Sequence, residues 1–176
     1  MAKFQFLLFD AGVIIHAHEI GIWEKLITKC RITVAQTVAE EEVLYWEDDN
    51  HNRHSIDLCA SAEEKEIDCV EASVSQVDDF RRKFGVTYLE RMDPGETESI
   101  AFLFTADKEW LFSTGDRFAY KVLAQVGLGG RGISLEEILE QVGLKHCVAY
   151  PYTKKFRQKC TLEGKQDWIM GMGLEQ

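Results

Sequence analysis

Proline is scarce, with two in 176 residues, and no tract is of low complexity. A disordered or fibrous chain is rich in such segments, so that class is excluded. No apolar run approaches the ~18 residues that a membrane-crossing helix needs. The apolar run Phe4 to Phe9 is closed by Asp10, which makes it a poor secretory core. There is no Cys-x-x-Cys pair, and the five cysteines are odd in number and irregularly spaced. That argues against a disulfide framework and leads us to expect reduced thiols in a cytoplasmic protein. Gly-x-Ser-x-Gly is absent, and no Cys–His pairing stands out. Basic residues are outnumbered 20 to 30, a net charge of −10. A generally basic nucleic-acid coat is thereby excluded, because phosphate binding needs a positive field. A site that holds cations is not, since clustered carboxylates are what such a site is made from.

What is present is an ordinary globular composition, 45% hydrophobic and 28% charged, at a length of one domain. Phe4 to Phe9 reads as a buried strand, ending at Asp10-Ala11-Gly12. Helical spacing predicts helices over His18 to Lys29 and Thr37 to Trp46, with a brief strand at Ile32 to Val34 between them. Glu47 to His54 reads as a polar break. Ile67 to Val70 is a predicted strand and Val74 to Lys83 a helix. Asp93-Pro94-Gly95-Glu96 is the clearest helix start, with a cap, a first-turn proline and a third-position glutamate. Trp110 to Thr114 is a further buried strand, followed by helices over Arg117 to Val126 and Leu135 to Val142. The repeated Gln-Val-Gly-Leu, at 125–128 and 141–144, reads as two helix ends with glycine beyond the cap. Strands alternating with helices predict an α/β fold: three layers, α/β/α, around a central, mostly parallel sheet. Residues 1–149 form its main domain and 150–176 a basic and aromatic segment packed on it.

Acidic residues recur at parallel points of this pattern: Asp10 after a strand, Glu41 in a helix, Glu98 one turn into a helix, and Asp116 at a strand-to-helix turn. Ligands in an open α/β sheet sit beyond the carboxyl ends of the strands. Carboxylates gathered there repel one another unless cations neutralise them, and oxygen ligands select Mg²⁺ or Mn²⁺.

The segments Phe6-Leu7-Leu8-Phe9-Asp10-Ala11-Gly12, Gly95-Glu96-Thr97-Glu98-Ser99-Ile100-Ala101 and Leu111-Phe112-Ser113-Thr114-Gly115-Asp116 resemble, in order and spacing, three acidic motifs of the PIN domain family. Ile32 to Glu42 is similar to the family's second motif, which lies between the first and second of these segments. The resemblance spans residues 4 to about 144. It implies a PIN-like fold and a metal-dependent endoribonuclease of toxin–antitoxin or RNA-processing type. Asp10, Glu41, Glu98 and Asp116 would hold one or two Mg²⁺ or Mn²⁺ ions and act on single-stranded RNA. It also implies RNA as a partner, with a protein inhibitor (an antitoxin) and a homodimer as further expectations, and no membrane.

Each of these residues also has a plainer reading. Asp10 can end a strand, Asp116 can cap a helix, and Glu40-Glu41-Glu42 can be a solvated face. Glu96 reads as the reciprocal member of a capping box with Asp93, which leaves Glu98 as the metal ligand. Thr114 reads as a strand-end residue whose hydroxyl can orient a water. Lys154, Lys155, Arg157 and Lys159, interleaved with Tyr150, Tyr152 and Phe156, suit single-stranded RNA or a packed tail. Two other functions fit the same residues. One is a catalytically silent PIN-like binding module. The other is a phosphatase resembling the haloacid dehalogenase group, although that family has an aspartate where Gly12 stands.

Overall fold

A computed structural model describes residues 4–40, 44–107 and 109–173. Its centre is a four-stranded parallel sheet of β1 (Phe4–Phe9), β2 (Cys30–Ala35), β5 (Asp68–Val70) and β6 (Leu111–Ser113), in the order β5-β2-β1-β6. β1 is interior, and Leu7, Leu8 and Phe9 are fully buried. Alternate side chains of a strand face opposite ways. Leu7 and Phe9 accordingly join one apolar cluster and Leu8 the other.

Helices α1 (Ala11–Glu19), α2 (Trp23–Lys29) and α8 (Leu135–Gln141) supply the first cluster through residues such as Ile14, Leu26 and Ile138. Helices α5 (Val74–Arg81), α6 (Pro94–Thr105), α7 (Arg117–Gln125) and α9 (Lys154–Ile169) supply the second through Phe80, Leu103, Val122 and Cys160. The chain is therefore α/β, with a parallel sheet flanked by helices. Among the described residues no helix is long and apolar enough to cross a membrane.

The predicted strands and later helices lie where the pattern put them, within a few residues. Gly127 and Gly143 both take positive φ, +82° and +71°, just beyond the ends of α7 and α8. Two expectations are corrected. The single helix over His18 to Lys29 is two helices, the first of which begins at Ala11. They are separated by Gly21 at φ +66°, a conformation that ends a helix. The helix over Thr37 to Trp46 stops as the short α3 (Gln36–Glu40), and Leu44 begins a strand instead.

That strand, β3 (Leu44–Glu47), pairs antiparallel with β4 (Arg53–Ile56), so the expected polar break is a hairpin. Leu44 and Trp46 alternate with the more exposed Tyr45 and Glu47, a two-residue period. The loop is set by Asp48, whose Oδ1 accepts from the Asn50 and Asn52 amides at 2.9 Å each. A fourth helix, α4 (Leu58–Glu63), follows the hairpin.

Residues 150–173 pack on the same core. α9 lies against α7, with Lys121–Asp167 and Arg117–Glu163 ion pairs at 2.6 and 2.8 Å. The two backbones touch at Gly164, where a Cβ would collide with the Lys121 main chain. Gly164→Ala should therefore separate the helices and cost about 1–3 kcal/mol by overpacking. Urea unfolding of the variant checks this; a midpoint equal to the parent's would contradict the close approach.

Candidate metal centre

β2 and β5 extend the sheet from β1 in one direction, and β6 lies on its other side. The strand order thus reverses between β1 and β6, and a crevice opens beyond their carboxyl ends. Asp10 follows β1 there, and Thr114 to Asp116 follow β6. The crevice holds a cleft of about 370 Å³ lined by Asp10, Asp93, Glu96 and Asp116, with Arg91, Tyr152 and three small residues.

Asp10 is 7% exposed and stands at the N-cap position of α1 without capping it through its side chain. Its amide is held by the Ser113 carbonyl at 3.0 Å. Its carboxylate accepts a hydrogen bond from Thr114 Oγ1 at 3.0 Å, and that hydroxyl in turn accepts from the Asp116 amide at 2.9 Å. The Thr114 hydroxyl, at the end of β6, is thus engaged in positioning Asp10.

Asp93, Glu96 and Asp10 each bring a carboxylate oxygen within 4.8 Å of the other two. Asp93 is the N-cap of α6, accepting from the Glu96 amide at 2.7 Å, and Glu96 sits in the first turn. Asp116 caps α7 by accepting from the Ala119 amide at 2.8 Å and lines the same cleft.

The expected division between Glu96 and Glu98 is reversed. Glu98 is buried with both carboxylate oxygens bonded to main chain. Oε2 accepts from the Thr37 amide at 2.8 Å and Oε1 from the Ala72 amide at 3.0 Å. It ties α6 to the segments that follow β2 and β5. Two residues along a helix turn the side chain by about 200°, so only one of the pair can face Asp10. Glu96 does, and its carboxylate belongs to the cluster rather than to a capping box alone.

Glu41 lies outside the described residues. Asp93 was assigned only a cap by its sequence. Its second role follows from the cap and the third helical position being neighbours at a helix end aimed at the strand termini. Of the basic tail, Arg157 is taken up by a bidentate pair with Glu137 at 2.7 and 2.8 Å. Lys154, Lys155 and Lys159 are exposed, and none of the four lines the cleft.

Tyr152 supplies a wall of the cleft that the sequence did not announce. Its hydroxyl donates to the Gly12 carbonyl at 2.9 Å, and its ring stacks on His16 with centroids 4.3 Å apart. A Cβ on Gly115 would stand 2.6 Å from that ring, so the glycine is what lets Tyr152 close in.

The electrostatics follow from burial of like charges. Burial, then Asp93, raises the Asp10 carboxyl from its ordinary 3.8 to about 6, against the stabilising Thr114 bond. Burial, then Asp10, Asp93 and Asp116, raises Glu96 from 4.5 to about 9. Such a cluster takes up protons or a hard cation.

No family model, curated protein or solved structure matches the chain.

Two outcomes are expected from these contacts. Both raised carboxyls hold their protons in the folded state at a pH where the unfolded chain has lost them. In metal-free buffer, stability should therefore be greatest below about pH 4 as far as these groups decide it. It should fall as pH climbs through about 6 for Asp10 and toward about 9 for Glu96. Melting curves across that range should show a shallower decline in Glu96→Gln, and an identical decline would remove Glu96 from the cluster. Glu98→Ala strips two backbone amides of their acceptor and should cost about 2–4 kcal/mol at neutral pH. Glu98→Gln, which keeps one acceptor, should cost less. Chemical denaturation compares the two, and equal stability of Glu98→Ala and the parent would contradict the tie.

Proposed function

We propose that this chain is a metal-dependent ribonuclease of PIN-like type that cleaves single-stranded RNA. The observation that carries the reading is the group of carboxylates formed by buried Asp10 and Glu96 with exposed Asp93, gathered at the point where the strand order reverses. Among the described residues no lysine or arginine forms an ion pair with any of the three. A divalent cation is the neutralising partner of matching chemistry, Mg²⁺ or Mn²⁺ by the all-oxygen donor set.

In this reading Asp10, Asp93 and Glu96 hold the metal, with Asp116 on the rim of the same cleft. Bound there, the ion supplies Lewis acidity toward a phosphodiester and lowers the pKa of its water. The chain's own residues do the placing. Thr114 fixes the Asp10 carboxylate through its hydroxyl, and the first turn of α6 fixes Asp93 and Glu96 relative to each other. Glu98 anchors that helix to the sheet edge. Tyr152 narrows the cleft and keeps bulk water from its inner wall.

The haloacid dehalogenase-like alternative loses ground because Gly12, where that group has a second aspartate, gives its carbonyl to Tyr152. The silent binding module is separated by experiment. Mn²⁺ should raise the melting temperature of the parent and protect less in Asp10→Asn, and less again with Glu96→Gln added. The parent should cleave a labelled single-stranded RNA in Mn²⁺, and Asp10→Asn should lose that activity by at least about a hundredfold. Mn²⁺ stabilisation without cleavage supports the silent module. Equal Mn²⁺ stabilisation of parent and Asp10→Asn would sink the metal centre.

A further inference from the structure

The chain has eight arginines. Five of them pair with carboxylates: Arg31 with Asp68, Arg53 with Glu47, Arg82 with Asp79, Arg117 with Glu163 and Arg157 with Glu137. A sixth, Arg131, donates to the Leu103 carbonyl. The two whose guanidinium groups have no hydrogen-bond or ion-pair partner among the described residues are Arg81 and Arg91. Arg91 lines the acidic cleft, and Arg81 lines the grooves on the other side of the α6 start. Both are exposed, so each presents a solvated guanidinium with its donors free on the surface of a protein with ten more acidic than basic side chains.

Arg91 is the one cation among the described residues that line the cleft. Its guanidinium lies over the Phe118 ring, 4.5 Å from the centroid, and Phe118 is buried in the first turn of α7. The ring holds the planar group at a fixed position while leaving its N–H edge free to donate. Arg81 ends α5 and lies between two further grooves, of about 640 and 440 Å³, that share Arg81, Asp78, Pro94 and Thr97. Residues of the α6 start alternate between these surfaces. Arg91, Asp93 and Glu96 line the cleft, whereas Met92, Pro94 and Thr97 line the larger groove. The cleft and the grooves are therefore the two sides of one ridge. Asp78 and Glu90 also border the grooves, yet neither pairs with either arginine.

We infer that Arg81 and Arg91 are the phosphate-binding residues of a path for a single-stranded RNA that crosses the first turn of α6, with Arg91 holding a phosphate beside the carboxylates and Arg81 one further along the groove. The inference rests on the nuclease reading for its substrate. It explains how an acidic protein would hold a polyanion at its most acidic place. The cation occupies the carboxylates, and two unpaired guanidinium groups, each with a fork that matches phosphate oxygens, flank it. It also assigns RNA binding to the cleft edge rather than to Lys154, Lys155 and Lys159.

The test is fluorescence anisotropy of a labelled oligouridylate with cleavage-resistant phosphorothioate linkages against the intact chain, in Mg²⁺ and over a range of salt. Adding Arg81→Ala and Arg91→Ala should weaken binding by at least about tenfold. It should also reduce the log–log salt slope by about 1.4, from two contacts at about 0.7 each on a single strand. Arg81→Lys with Arg91→Lys should keep the slope, because lysine retains the charge. Lys25→Ala with Lys29→Ala, on exposed positions of α2, should change neither quantity. Arg81 and Arg91 carry no hydrogen bond, but Arg91→Ala loses the contact with Phe118, so the alanine variant should melt slightly below the parent and stay folded at the temperature of the binding assay. An unchanged affinity and slope in that variant, an equal loss in the α2 control, or a starting protein that shows no salt-dependent binding each overturns the inference. Failure of the nuclease reading looks different. Arginine-dependent RNA binding without Mn²⁺ stabilisation of the intact chain would remove the metal centre and leave the path. Mn²⁺-dependent cleavage with an unchanged KM in the double alanine variant would remove the path and leave the nuclease.

Discussion

Negative charge kept from water without an ion-pair partner is costly, and most of what is unusual in this fold is arranged around that cost. Asp10 and Glu96 are almost completely buried, and each neighbouring carboxylate makes the ionised form harder to keep. The positions are nevertheless held firmly. Asp10 extends from a strand with no exposed side chain at its end, and its carboxylate is fixed from 104 residues away by Thr114. Asp93 and Glu96 are fixed by the geometry of a helix start, and α6 is pinned from its far face by Glu98. Stability invested in holding repelling groups together is a recurrent property of sites whose chemistry requires them there.

The same arrangement explains why α6 carries so many polar residues inside the protein. Glu96, Thr97, Glu98 and Ser99 are all buried in one turn. A helix of that composition would ordinarily face solvent. Three of the four have a separate demand to meet, while the buried Ser99 hydroxyl has no hydrogen-bond partner among the described residues. Glu98 satisfies backbone amides of two loops, Thr97 donates to the Asp93 carbonyl at 2.8 Å, and Glu96 joins the carboxylate cluster. The helix works less as a packing cylinder than as a joint between the sheet edge and the cleft.

Much of this was legible in the sequence, and the part that was not has a physical reason. β1, β6, the α6 start and the helices α7 and α8 have strong local signals: an all-apolar run, a Pro at the first helical position, caps followed by the right period. Asp10 and Asp116 could be singled out because a carboxylate at the end of a buried strand or at a strand-to-helix turn stands out locally. Which of Glu96 and Glu98 faces the cleft is a matter of helix phase relative to two other elements, and no local signal carries it. Capping assigned Glu96 to structure, and tertiary packing gave it a second task. The hairpin of β3 and β4 was hidden by its polar loop and by a run of glutamates that favours helix. Tyr152 and Arg91 were missed because their meaning lies in what they stand beside, not in any spacing along the chain.

Tyr152 reaches a carbonyl 140 positions earlier, at Gly12. The cleft is therefore closed by a part of the chain remote from the part that begins it: Asp10 and Gly12 follow β1, while Tyr152 stands just before α9. Because α9 lies against α7 with backbone contact at Gly164, the position of this wall is tied to that helix pair. A change that shifts α9 would reach the cleft without touching a carboxylate.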